Sequence, residues 1–344
     1  MQYNKQIEEL DLLASLPIEK VASFHQFLIE TAELDNFRIT PIANDCSGRT
    51  YYRVLTSEGS KILMDSQTEM KSYHDFIKVC DWLRSEGLRS PQIFAKDSEH
   101  GLMLIEDFGD ASLLSYLMQN PEQEIDLYQK SIDLLVKLHN TIPSTELKEH
   151  DHEVLSSGLQ RLFMNNYLPI IIPENRLHKA RAELTAIFDD LYRMLPLMKQ
   201  VVVLRDYHAE NLMVLSDSNL GIIDFQDAMI GCPAYDLLSL LEDARREIKP
   251  ELAIHCINYY HTQAATQNYN EFDEAYAILS AQRNLRIIGL FHKLYILENK
   301  EKYGPCIPRV TGYLANTLKH PRLAALNAWI EKYNVLSNDE LNRK

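Results

Sequence analysis

No stretch of this 344-residue chain approaches the roughly 18–20 consecutive apolar residues that a membrane-spanning helix needs. Near the start, Glu8, Glu9 and Asp11 interrupt any apolar run that could serve as a secretory signal, so none is expected. Cysteine is scarce and scattered. Cys46, Cys80, Cys232, Cys256 and Cys306 are odd in number and never spaced C-x-x-C, which argues for reduced thiols in a cytoplasm rather than a disulfide framework. A zinc site is not expected either: His150 and His152 flank Asp151 in a polar stretch that reads as a solvated loop. Positive charge is outnumbered, with 35 Lys and Arg against 49 Asp and Glu, a formal net charge of −14. Such a chain repels nucleic acid and anionic membrane surfaces, which excludes large polyanionic partners. There is no internal repeat and no low-complexity tract. What remains, 46% hydrophobic and 24% charged residues, is the composition of a globular protein. Its length calls for two or three lobes, because single cores stop growing beyond about 250–300 residues.

The apolar patterning divides the chain unevenly. Residues 5–33 carry apolar positions at helical spacing and predict a packing helix or helix pair. Between 37 and 65 the pattern changes to short β-type runs, Phe37-Arg38-Ile39, Tyr51 to Leu55 and Lys61 to Met64, separated by turn residues. A helix over roughly 69–86 leads to Pro91 to Phe94 and to a strand at Leu102 to Ile105. From about 112 onward helices are expected over 122–140, 153–168, 176–197, 233–247, 250–265, 271–298 and 308–335. The expected fold is α+β and two-lobed: an N-lobe over 1–108 with a small antiparallel sheet, and a larger, mainly helical C-lobe over 109–344. Ligand sites prefer the cleft between such lobes.

One hairpin interrupts the helices. Residues 212–215 and 220–223 are apolar, β-prone runs joined by Ser216-Asp217-Ser218-Asn219, and they should pair as antiparallel strands. If Leu212 lies opposite Ile223, Asn211 lies opposite Asp224, with Cα atoms about 4.5–5.5 Å apart. An amide oxygen and a carboxylate then converge, the hard-oxygen pair that Mg²⁺ takes while drawing its other ligands from phosphate and water. Asp206 stands five residues before Asn211, at the end of the buried run Val201-Val202-Val203, in the D-x-x-x-x-N spacing of kinase catalytic loops. In that role it orients a hydroxyl and accepts its proton while magnesium neutralises the phosphates of ATP. Asp206 is the expected base, and Asn211 and Asp224 the expected metal ligands.

Four strings extend this reading: Leu204-Arg205-Asp206-Tyr207-His208-Ala209-Glu210-Asn211-Leu212, Asp224-Phe225-Gln226-Asp227-Ala228, Pro233 to Arg246, and Ala281-Gln282-Arg283-Asn284-Leu285. With them the chain resembles, over nearly its whole length, the protein-kinase-like aminoglycoside-phosphotransferase superfamily of small-molecule kinases. Within it the chain is similar to the bacterial anomeric kinases of N-acetylmuramate and N-acetylglucosamine, which serve cell-wall recycling. The resemblance implies phosphorylation of the sugar's C1 hydroxyl with ATP and Mg²⁺. It also implies that Asp236 buttresses the catalytic-loop backbone, that His139 helps hold the loop, and that the backbone of Glu106 to Phe108 meets the adenine. Only eight residues separate Asp224 from Pro233, too few for a protein kinase's activation segment, which argues separately for a small substrate.

Three parts of the pattern are missing. The His that usually opens the catalytic loop, mostly a scaffold, is replaced by Leu204. The nucleotide loop, with Ser47, Gly48 and Arg49 as its candidates, holds one glycine rather than three. The strand Lys61 to Asp65 lacks a lysine where V-A-I-K would put it, so another cation must meet the phosphates: Arg49, Arg53 or Lys61. For the amino sugar, the candidates are Gln226 and Asp227 behind the metal aspartate, Glu242 and Arg245 on the next helix beside Asp243 and Arg246, and Arg283 on a later one. An Arg fork suits the lactyl carboxylate of muramate. Two other readings remain: a kinase for aminoglycosides, choline or a related amine, and a catalytically silent nucleotide-binding module motivated by the missing lysine and glycines.

Overall fold

The computed structural model describes residues 16–42, 48–143, 146–195, 198–217 and 219–336. They form two compact units, one from the described part of Met1–Ser112 with Met213–Asp227, the other from Leu113–Leu212 with Ala228–Lys344. The hairpin read as part of the C-lobe thus packs with the first unit. Residues 5–15 of the expected N-terminal helix, and Ser47, lie outside the described residues.

In the first unit the strands are β1 (Arg38–Pro41), β2 (Thr50–Thr56), β3 (Gly59–Asp65), β4 (Ile93–Asp97) and β5 (Leu102–Glu106). They form one antiparallel sheet in the order β1-β2-β3-β5-β4. Period-two alternation sends Tyr52 and Val54 of β2 and Leu63 of β3 to one face, where they pack with Phe24, Phe27 and Leu28 from and just after α1 (Ile18–Gln26). Helix α2 (Met70–Ser85) buries Tyr73, Phe76, Val79, Cys80 and Leu83 along one helical stripe.

The hairpin strands are β7 (Leu212–Val214) and β8 (Leu220–Ile222). Three backbone bonds place them: Val214 N–H to Ala111 O at 2.8 Å, Ile222 N–H to Arg89 O at 2.7 Å, and the turn-closing Leu215 N–H to Asn219 O at 2.9 Å. The last pairs 215 with 219, which puts Met213 opposite Gly221. That is one residue off the register expected from the sequence, and β8 ends before Asp224. A Cβ on Gly221 would lie 2.6 Å from the Phe108 ring, so only glycine lets that ring lie against the hairpin backbone. Beyond β8 the fully buried Phe225 packs on Phe76 of α2, ring centroids 4.8 Å apart, and anchors the chain next to Asp224.

The second unit is mainly helical: α3 (Leu113–Gln119), α4 (Glu124–His139), α5 (His152–Leu159), α6 (Glu174–Tyr192), α7 (Ala234–Leu241), α8 (Pro250–Gln263), α9 (Tyr269–His292), α10 (Ile307–Thr317) and α11 (Ala324–Lys332). A short antiparallel pair, β6 (Val201–Val203) with β9 (Met229–Gly231), leads into the loop that follows Val203. Helix α7 is buried at every position, with apolar residues on all its faces and Asp236 and Ser239 buried among them, and it stops at Leu241 rather than running on to 247. Glu242 leaves the helical region at φ −115° and ψ 48°. The expected helix 308–335 breaks before Pro321, which cannot continue it. Truncating the buried ring in Phe225→Ala should cost about 3–5 kcal/mol of stability by denaturant unfolding; a cost near zero would show that the ring is not an anchor.

Candidate active site

The catalytic-loop candidates follow β6, and two buried carboxylates hold their backbone. Asp236, in the first turn of α7 and fully buried, accepts from two successive amides, Leu204 N–H at 2.5 Å and Arg205 N–H at 2.8 Å. Asp243, also fully buried, accepts from Ala209 N–H at 3.3 Å and from Arg245 N–H at 2.9 Å. Between these braces Arg205 adopts φ 73°, a left-handed conformation that a side chain of this kind rarely takes. It is sustained because its N–H is bound and Ser239 Oγ reaches its carbonyl at 3.5 Å. Tyr207 OH donates to Ser131 O at 2.6 Å and ties the loop to α4.

Asp206 is half-buried at the centre of this frame. Its carbonyl accepts from His208 N–H at 3.0 Å and from Asn211 Nδ2 at 2.9 Å. Asn211 Nδ2 also faces His208 Nε2 at 3.4 Å. Both amide hydrogens are therefore directed into the loop, and Oδ1 is the atom left to accept or ligate. His208 is buried, and burial with Arg245 and Arg283 nearby keeps its pKa well below the usual value. It is neutral, with Nε2 as the acceptor.

In the first unit Asp224 turns out of the hairpin at φ 58°, a left-handed conformation that aspartate tolerates. Its Oδ1 accepts from Arg49 Nη2 at 2.9 Å and from Gln226 Nε2 at 3.0 Å. Arg49 is buried, 5.9 Å from the centroid of the Tyr51 ring, and burial pushes the Tyr51 hydroxyl up to about 12. The other two cations considered for the missing lysine are engaged elsewhere. Arg53 is bound to Asp107 (2.7 Å) and Asp110 (2.7 Å), and Lys61 lies over the Phe94 ring at 5.3 Å. Gly48 N–H, expected to cradle phosphate, donates instead to Glu69 Oε1 at 3.1 Å, while Thr68 Oγ1 donates to Gly48 O at 2.9 Å. These two bonds tie Gly48 to the residues just before α2. At the opposite end of the sheet the Glu106 carboxylate is bound by Arg89 at both oxygens and by Gln92 N–H at 3.1 Å. Arg89 in turn stacks 4.9 Å from Phe108, which fixes the strand end that was read as the adenine hinge.

The sugar-side candidates separate into distinct groups. Gln226 is buried against Asp224, with its Nε2 also 3.4 Å from the exposed Asp227. Glu242, expected on a helix face, is buried after α7 and accepts from Ser280 Oγ (2.7 Å) and Asn284 Nδ2 (2.6 Å) of α9; burial raises its pKa. Arg283 is buried too and donates to Glu242 O at 3.3 Å. These two charges hold α9 against the segment after α7. Arg245 stands apart: partly exposed, it pairs through Nε with Glu210 Oε2 of the loop at 2.5 Å. His139 does not reach the loop. Its Nδ1 meets Tyr260 OH at 2.8 Å on α8, and Tyr207 supplies the tie to α4 instead. Asp243 as a loop brace is not legible in the sequence, where its only signal is a carboxylate just past a largely apolar helix.

Asp236 carries a pH signature. Burial lifts its carboxyl to about 7 against the pull of two amide donors. Because the folded pKa exceeds the unfolded value of about 3.9, its contribution to stability is full below about pH 4 and is lost as pH climbs toward 7. The excess unfolding free energy of wild type over Asp236→Asn should therefore fall across that window, and a flat difference would refute the assignment. Asp236→Ala, which strands two buried amides, should cost about 1–3 kcal/mol for each.

Residues 38–274, more than half of the chain, match the model of the phosphotransferase enzyme family. The chain is 30% identical over 302 residues, 86% of its length and 88% of the relative's, to the N-acetylmuramate/N-acetylglucosamine kinase of Pseudomonas aeruginosa. It is 29% identical over 331 residues to the kinase of the same description from Caulobacter vibrioides, covering 85% and 91% of the two chains. In fold it is similar to a spectinomycin phosphotransferase solved with ADP and spectinomycin, with TM-score 0.57 and 12% identity over 91% of this chain and 98% of that one. The loop that carries Asp206 and Asn211 stands within the matched span, and the chain belongs to the phosphotransferase enzyme family.

Proposed function

We propose that this phosphotransferase moves the γ-phosphoryl group of ATP to the C1 hydroxyl of N-acetylmuramate and N-acetylglucosamine. The observation that carries the reading is the braced loop: a half-buried Asp206 beside an Asn211 whose amide hydrogens are both turned inward. The descriptions of the curated relatives support the choice of sugars, and the ADP in a structure of similar fold supports the nucleotide.

In this mechanism Asp206 orients the C1 hydroxyl and takes its proton as the sugar oxygen bonds to the γ-phosphorus. The bond to the bridging oxygen breaks, and ADP leaves with the electron pair. Asn211 Oδ1 and the Asp224 carboxylate are the hard oxygen donors that fit Mg²⁺. When bound, that ion neutralises charge on the phosphates. Gln226 orients the Asp224 carboxylate, and Arg49, already on that carboxylate, is the cation that takes the place of the absent sheet lysine. Among the described residues no helix is long and apolar enough to cross a membrane. Buried thiols at Cys80, Cys232 and Cys256, and the need for ATP, support a cytoplasmic place in cell-wall recycling. The charge of −14 supports a small substrate rather than nucleic acid.

With MgATP and a panel of amino sugars, the protein should release ADP and form a sugar phosphate whose phosphorus couples to the C1 proton. Asp206→Asn should lower kcat by about 10²–10⁴-fold and retain ATP binding. A phosphoryl group at C6, or a variant with wild-type kcat, would overturn the reading.

A further inference from the structure

We infer that Arg245 reads the carboxylate of N-acetylmuramate, with Glu210 holding its guanidinium in place until that carboxylate arrives. The inference rests on the sugar-kinase reading and adds to it a determinant of preference between the two sugars. N-acetylmuramate is N-acetylglucosamine carrying a lactyl ether at C3, so one carboxylate separates the two substrates. A residue that prefers the acid must be cationic, in reach of solvent, and beside the loop that binds C1.

Most arginines of this region fail one of those conditions. Arg283 is 4% exposed and donates to a backbone carbonyl of the segment after α7. Arg286 donates to Tyr235 OH at 3.1 Å, Arg309 to Ala244 O at 2.7 Å, and Arg246 is bound to Glu124 with 14% of its side chain exposed. Arg245 meets all three. A third of its side chain, 34%, is exposed, and the partners of its guanidinium, Glu210 and His208, are both loop residues between Asp206 and Asn211.

Its edges are also disposed for the task. Glu210 takes the Nε edge at 2.5 Å, which leaves the terminal nitrogens, one of them 3.4 Å from His208 Nε2, as the fork that meets a second carboxylate. The backbone under it is fixed, because Arg245 N–H is bound to the buried Asp243. Glu210 is itself 40% exposed, so its charge opposes an incoming anion at the same cation. It orients the arginine and sets a threshold that only a carboxylate-bearing sugar benefits from crossing.

The test compares kcat/KM for N-acetylmuramate, its neutral lactyl methyl ester and N-acetylglucosamine. Wild type should prefer the acid to the ester by about 10–100-fold, the range for one charge-assisted pair. Arg245→Met should bring acid and ester to parity, and Arg245→Lys should restore part of the preference. Glu210→Gln should lower KM for the acid and leave the ester's where it was, an effect that a purely structural ion pair does not produce. That variant also carries the test if Arg245→Met fails to fold. An acid-to-ester ratio that survives Arg245→Met, or a Glu210→Gln variant equally impaired on both, would overturn the inference. A wild-type protein that phosphorylates neither natural sugar would instead overturn the function on which it rests.

Discussion

One carboxylate accepting from two successive backbone amides is the constraint on which the catalytic loop depends. That group is Asp236. It binds Leu204 and Arg205 N–H together and so fixes two peptide planes at the exit of β6. A buried, unpaired amide costs about 1–3 kcal/mol, so the loop has few alternatives to this geometry. Every later residue of the loop inherits its position from those planes, with Asp243 repeating the device at Ala209.

The first unit places Asp224 by different means. Here apolar contacts set position and polar contacts set direction: Phe225 is buried on Phe76, Arg49 and Gln226 converge on Oδ1, and the backbone is held at φ 58°. Both left-handed residues among the candidates, Arg205 and Asp224, are locked on each side by bonds or buried rings. Strain of this kind persists only where the surroundings over-determine it. Arg49 is thereby the cation held on the Asp224 carboxylate.

Much of this was legible in the sequence, for identifiable reasons. The strands of the sheet announce themselves by alternation, and the spacing of Asp206 and Asn211 survives because a loop closed by its own carbonyl admits few lengths. Other features were hidden because they are chosen by distant partners. The hairpin register slipped by one because the polar turn 216–219 fits more than one closure, and the bond from Leu215 to Asn219 selects among them. Helix α7 ends at Leu241 because the Glu242 carboxylate finds Ser280 and Asn284, some 40 residues later in the chain. Glu242 and Arg283 read as exposed sugar contacts because charged residues usually are exposed, and only the fold reveals their mutual burial. The strand β9, three residues long, is below what alternation can signal.

Hydrogen exchange of the loop amides reports most directly on how the catalytic loop is held. Leu204 and Arg205, and more weakly Ala209, should exchange as slowly as the core strand β6, because their amides are bound to buried carboxylates. Exchange of Leu204 and Arg205 at the rate of an open surface loop would contradict the account.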